Sequence, residues 1–189
     1  MPDSDTFATH TPAPTETIPV TVGPLCALLS QLNELITGLD ATAYTTQPET
    51  TKCGAIGGHV RHTLDHVIAW LHGVNGEAVN YDDRQRGTDV ETNPRTAEQL
   101  ITRCLADLAQ VPCEALPKTV AVLTSMTNDG ALVRLPSTHA RELAFVFSHT
   151  VHHNAIIGTI ARALDLTLPP NFGMAPSTIA YRDGGGCAQ

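Results

Sequence analysis

STHARELAFVFSHTVHHNAIIGTIARAL, residues 137–164, is the longest helical pattern in the chain. At ~100° per residue, His149 and His153 share a face with Val146, Ile156, Ile157, Ile160 and Leu164. Two imidazoles thus point into the core one turn apart. Ser137 or Thr138 is placed to cap this helix, and Glu142 lies in its first turns, where a carboxylate favours the helix dipole.

Working outward, three more stretches carry the same period. Leu25, Leu28, Leu29, Leu32, Leu35, Ile36 and Leu39 recur at helical spacing and predict a helix over about 22–40. VRHTLDHVIAWLHGV (60–74) predicts a second, ending at Gly73 to Gly76. TAEQLITRCLADLA (96–109) predicts a third, capped by Thr96, with Leu100, Ile101, Leu105 and Leu108 inward. Between the third helix and the fourth, KTVAVLTSMTNDGALVRL alternates apolar and polar residues on both sides of Asn128-Asp129-Gly130, the residue chemistry of a short hairpin turn. The expected fold is therefore all-α, an antiparallel four-helix bundle with a small β-hairpin before the last long helix, since each amphipathic helix must bury its stripe against the others. Residues 1–19 read as a disordered leader, 20–175 as the bundle and 176–189 as a tail, while 77–96 is a polar connection with no regular period.

Composition narrows the function. Eleven Lys and Arg against nineteen Asp and Glu give a net charge of −8, which argues against a nucleic-acid partner, because tracking phosphates needs clustered cations. No apolar run reaches the ~18 residues of a bilayer span, and the first residues lack the basic and apolar regions of a secretion signal. A cytoplasmic protein without a membrane partner is expected. Five cysteines at 26, 53, 104, 113 and 187 form no CxxC pair, so neither a disulfide framework nor a thiolate zinc knuckle is indicated. Cys26 and Cys104 fall in apolar helical patterns, where a thiol acts as a small hydrophobe. A homodimer is compatible with a bundle of this size, although no residue requires one.

Nine histidines are the compositional oddity. Burying a neutral imidazole costs free energy unless its ring nitrogens find partners, and a pair at i, i+4 lets two lone pairs converge on one cation. An isolated core histidine is more often satisfied by a carbonyl or carboxylate than by a metal, and HxxxH by itself matches many unrelated helices. The second predicted helix adds His59, His62 and His66, within about 60° of one another on the helical wheel. One of these opposite His149 and His153 would close a three-histidine set with an open position, suited to Zn, Ni or Fe(II). Helical phase does not choose the member: His59 and His66 lie nearer the stripe of Val60, Leu64, Val67 and Leu71, whereas His62 shares its side with Ala69 and Gly73. His152 falls beside the face of His149 and His153, at the rim.

AIGGHVRHTLDH (55–66), followed far downstream by HTVHHNAIIG (149–158), resembles the DinB-like superfamily of bacterial metal-binding four-helix bundles, which includes the bacillithiol and mycothiol transferase-related proteins. The resemblance spans roughly residues 22–175, and its specificity lies in the combination of motifs. It implies that the helix-2 metal ligand lies five residues after the glycine, at His62 counting from Gly57, and that the HxxxH pair carries over to His149 and His153. YDDRQR (81–86) and Glu91 also look like a subgroup of these proteins. Two departures stand out: helix 2 carries the additional His59 and His66, and the polar residue that often follows HHxx is here Ile156.

A cation on three neutral imidazoles keeps its positive charge and can bind a thiolate or lower the pKa of a bound water. The resemblance implies a thiol S-transferase using a low-molecular-weight thiol on a small-molecule substrate; hydrolysis is the related alternative. A metal-binding or stress-response protein without turnover is a second reading. Fe(II)-dependent thiol and O₂ chemistry is a third, because iron-dependent sulfoxide synthases contain a similar domain. Any of the catalytic schemes needs a base nearby, for which His59, His66, His152 and Glu142 are candidates in the second shell or pocket. Arg84 and Arg86 are candidates to clamp a carboxylate, or form a solvated group with Asp82, Asp83 and Glu91; Asp65 is a candidate acceptor for a histidine N–H.

Overall fold

The computed structural model describes residues 19–83 and 87–184. Arg84, Arg86 and Cys187, and nearly all of the expected leader, lie outside the described residues. Its elements, in order, are α1 (Gly23–Thr37), α2 (Ala41–Thr45), α3 (Ile56–Val74), β1 (Val79–Asn80), a 3₁₀ turn (Asp89–Glu91), α4 (Pro94–Ala109), a second 3₁₀ turn (Cys113–Ala115), β2 (Thr119–Ser125), β3 (Leu132–Thr138), α5 (His139–Ala163) and α6 (Pro176–Asp183).

The expectation of an all-α four-helix bundle is corrected by this order. Among the described residues there are six helices and a three-stranded mixed sheet, β1-β2-β3. β2 and β3 pair antiparallel from Thr119↔Thr138 to Ser125↔Leu132, joined through residues 126–131 rather than by a tight turn at Asn128-Asp129-Gly130 alone. β1 adds in parallel, Val79 opposite Val122. The reason β1 escapes sequence reading is physical: a strand of two residues has no period, and its parallel partner lies far along the chain.

α1, α3, α4 and α5 share one apolar core, in which Leu29, Leu32, Ile36, Val60, Leu64, Val67, Trp70, Ile101, Leu108, Val146, Ile157 and Ile160 are buried. A smaller cluster of Val79, Val120 and Val122 seats the sheet, with Ala69 of α3 and Tyr81 packed against it. Gly73 makes that seat: a Cβ there would lie 2.3 Å from Val79 Cγ2. At the other end of α3, a Cβ on Gly57 would lie 2.0 Å from Glu91 O and 2.6 Å from the Tyr44 ring. Tyr44, on α2, is fully buried and donates its hydroxyl to Val90 O at 2.8 Å. The start of α3 is therefore clamped between α2 and the first 3₁₀ turn.

Helix ends follow local chemistry. α4 starts at Pro94 with Asn93 as its cap, whose Oδ1 accepts from Arg95 N at 3.0 Å, so Thr96 does not cap it. Asn followed by Pro at the first helical position presets both the side-chain acceptor and φ. Thr138 ends β3 and caps α5 by accepting from Arg141 N. The expected tail contains α6, which carries no buried residue. No helix among the described residues is long and apolar enough to cross a membrane.

Candidate metal centre

α3 and α5 pack against each other and carry the histidines. His62, His149 and His153 each offer a ring nitrogen, and these atoms lie within 4.8 Å of one another. Their ring centroids are 5.0 Å (His62–His149), 4.6 Å (His62–His153) and 4.4 Å (His149–His153) apart, all edge to face. Ligands at ~2.1 Å from a tetrahedral ion stand ~3.4 Å from each other, so small side-chain adjustments separate this arrangement from a closed site. Three close histidines could bind a metal ion.

The donor set fits such an ion electrostatically as well. The pKa of His153 is pushed down to about 3, first by burial and then by the neighbouring His149, His62, His59 and His152 rings. Its imidazole is neutral at physiological pH, the state that binds a cation.

The other expected residues surround this trio. His59 sits beside His153, with Nδ1 3.0 Å from His153 Nδ1 and Nε2 2.6 Å from Cys53 O. His66 is buried, donates from Nδ1 to the His62 carbonyl at 2.9 Å, and stacks on His149 with centroids 3.8 Å apart. His152 is exposed, its ring 5.2 Å from that of His153.

Glu142 is only 1% exposed and accepts three hydrogen bonds: from Tyr81 Oη at 2.9 Å, Ser137 Oγ at 2.6 Å and Arg141 Nη1 at 2.9 Å. With its oxygens so occupied, this carboxylate ties the segment after β1 and the end of β3 to the first turn of α5. Asp65 pairs with Arg61, whose Nε also lies 3.0 Å from Glu91 Oε1. Glu91 further accepts from Gly87 N at 2.8 Å.

Two participants escape sequence reasoning. Tyr81 stacks on His66 at 5.1 Å, with the rings tilted by 12°, and contacts Phe145, which in turn stacks on His149. Burial, and then the Glu142 charge and hydrogen bond, raise its pKa, so the phenol keeps its proton and donates it. In the sequence it stands in a polar connection as the first residue of YDDRQR, a motif that by itself assigns it no partner. The Cys53 carbonyl carries no side-chain signal at all. Cys26, Cys53, Cys104 and Cys113 are free thiols, and burial pushes Cys104 up to about 12, which fits a small hydrophobe rather than a nucleophile.

A cavity of about 610 Å³ lies elsewhere, lined by Arg61, Asp65, Ile68, His72, Asn80 and Leu123 among others, and by none of the three histidines. Ala69, which shares the His62 side of α3, also lines it.

No family model matches the chain. No solved structure matches it. Among curated proteins it is similar to one named FK506-binding protein 5, from Rhizopus delemar (strain RA 99-880), 28% identical over 104 residues that make up 54% of this chain and 27% of that protein. The chain thus matches about a quarter of the length of this relative.

Proposed function

We propose that the protein is a metal-dependent enzyme of the DinB-like thiol S-transferase type, acting in the cytoplasm on a small electrophile, with His62, His149 and His153 as ligands of a divalent transition ion. The observation that carries this reading is the convergence of three ring nitrogens from two helices within 4.8 Å. Imidazole donors suit Zn, Ni or Fe(II). A cation held by these three residues would supply positive charge favouring the thiolate form of a low-molecular-weight thiol. The chain's own residues do the rest. His153 stays neutral through burial and so keeps its lone pair available. Exposed His152, beside His153, is placed to pass the thiol proton to solvent. In the transfer, a sulfur–carbon bond forms, the bond from carbon to the leaving group breaks, and that group departs with the electron pair. The Rhizopus protein's name speaks of FK506, which the histidines give no reason to carry over.

A second reading, metal binding without turnover, is favoured by the 610 Å³ cavity being lined by none of the three histidines. One experiment separates the two. Metal content is measured on protein purified without added metal and on the His62→Ala, His149→Ala and His153→Ala variants, and turnover of a chlorinated aromatic is followed with a panel of low-molecular-weight thiols. Retained metal in all three variants overturns the site. Metal lost in each variant, with no thiol giving a rate above background, overturns the enzyme and leaves the second reading.

A further inference from the structure

The hydrogen bonds around His59 dictate where protons sit. Cys53 O is a carbonyl oxygen, which only accepts, so His59 Nε2 at 2.6 Å must carry the hydrogen. A neutral imidazole has one N–H, and Nδ1 of His59 therefore presents a lone pair. The atom facing it, 3.0 Å away, is His153 Nδ1. Two lone pairs do not meet at that distance without a proton between them, so His153 Nδ1 donates. What remains on His153 is Nε2, which holds that ring's lone pair.

The backbone is bent to make this contact. Cys53 lies between Lys52, at φ 51°, and Gly54, at φ 88°. The first is a left-handed conformation held by a side chain that rarely adopts it. A Cβ on Gly54 would lie 3.8 Å from His59 Nε2, so the turn passes close to the Nε2 edge of the ring. A ligating histidine commonly donates its second N–H to a carbonyl or a carboxylate. Here a second imidazole stands between the ligand and its carbonyl.

We infer that His59 is a positioning residue: the Cys53 carbonyl orders the His59 ring, which in turn holds His153 in its Nδ1–H tautomer with the Nε2 lone pair directed to a divalent cation. The inference rests on the metal reading proposed above. It also gives a task to His59, one of the α3 histidines outside the three-ligand set.

Histidine ¹⁵N NMR of the metal-free full chain at pH 8 tests the relay before any cation is added. The expected spectrum shows His59 as Nε2–H and His153 as Nδ1–H. His59→Ala should mix the two tautomers of His153 and weaken Zn²⁺ binding, read by chelator competition, by ~10–100-fold, the usual effect of losing such a partner. His59→Asn, whose side-chain oxygen can accept from His153 Nδ1, should restore the tautomer and most of the affinity, and it keeps the test open if the alanine variant misfolds. An Nε2–H tautomer of His153 in the unsubstituted protein, or an unchanged tautomer and Zn²⁺ affinity in His59→Ala, overturns the relay. The two readings fail differently: absence of Zn²⁺ binding with the expected tautomers sinks the metal centre, whereas tight Zn²⁺ binding with the wrong tautomer sinks the relay.

Discussion

Replacing Gly57 by alanine tests how the first turn of α3, and with it His59 and His62, is held. The new methyl carbon would stand 2.0 Å from Glu91 O and 2.6 Å from Tyr44 Cε1. A carbon and a carbonyl oxygen rest ~3.3 Å apart or more, so one side must retreat by over ~1 Å. Neither neighbour is a flexible tip: one is backbone of a 3₁₀ turn and the other a fully buried ring. Overpacking of this kind costs ~1–3 kcal/mol. If Tyr44 moves, its hydrogen bond to Val90 O is lost as well, another ~1 kcal/mol. Removing a glycine from a helix returns at most ~1 kcal/mol, leaving a net loss of roughly 1–3 kcal/mol. The adjacent Gly58 is the control, because nothing lies within 4 Å of a Cβ there. Gly58→Ala should be neutral or stabilising by up to ~1 kcal/mol. Urea unfolding followed by circular dichroism, with the slope unchanged, measures both. A Gly57→Ala midpoint at or above that of the parent protein, or an equal loss in Gly58→Ala, refutes the clamp.

Three further outcomes are expected. Glu142→Ala strips the acceptor from Tyr81, Ser137 and Arg141 and should destabilise by ~2–4 kcal/mol, with Glu142→Gln losing less; unfolding midpoints that match the parent's would show the carboxylate to be idle. Tyr44→Phe leaves the buried Val90 carbonyl without its hydroxyl donor and should cost ~1–2 kcal/mol by the same measurement, a negligible change arguing against that bond. The metal-free protein should weaken in acid: His153, held at about 3 when folded against ~6.5 unfolded, contributes fully above pH 6.5, and that contribution falls by up to ~1.4 kcal/mol per pH unit as pH drops toward 3. His139, lowered by burial and then by Lys118, adds in the same sense. Stability independent of pH between 7 and 5 would contradict this.

The four long helices were legible because each is amphipathic over several turns, and a stripe such as Leu25, Leu28, Leu29, Leu32 states its own period. The pairing of His149 with His153 was legible for the same reason. The start of α4 was misread because Thr96 competes as a cap with Asn93-Pro94, and only the hydrogen bond to Arg95 N separates them. Glu142 illustrates a different limit. Its place near the helix start fits either a dipole partner or a base, and the three donors that occupy it come from β3, from the segment after β1 and from its own helix.

By itself the sequence determined which faces are apolar and where the imidazoles fall along each helix. Periodicity is a local property, written within one or two turns. Helical phase left open which histidine of α3 joins the HxxxH pair, the resemblance pointed to His62, and the tertiary structure brings that ring to His149 and His153; tertiary structure alone decided that β1 completes a sheet and that a backbone carbonyl at Cys53 reaches His59. Those outcomes depend on the rotation and approach of α3 against α5, which Gly57, Gly73 and their distant neighbours set through contacts that no local pattern encodes.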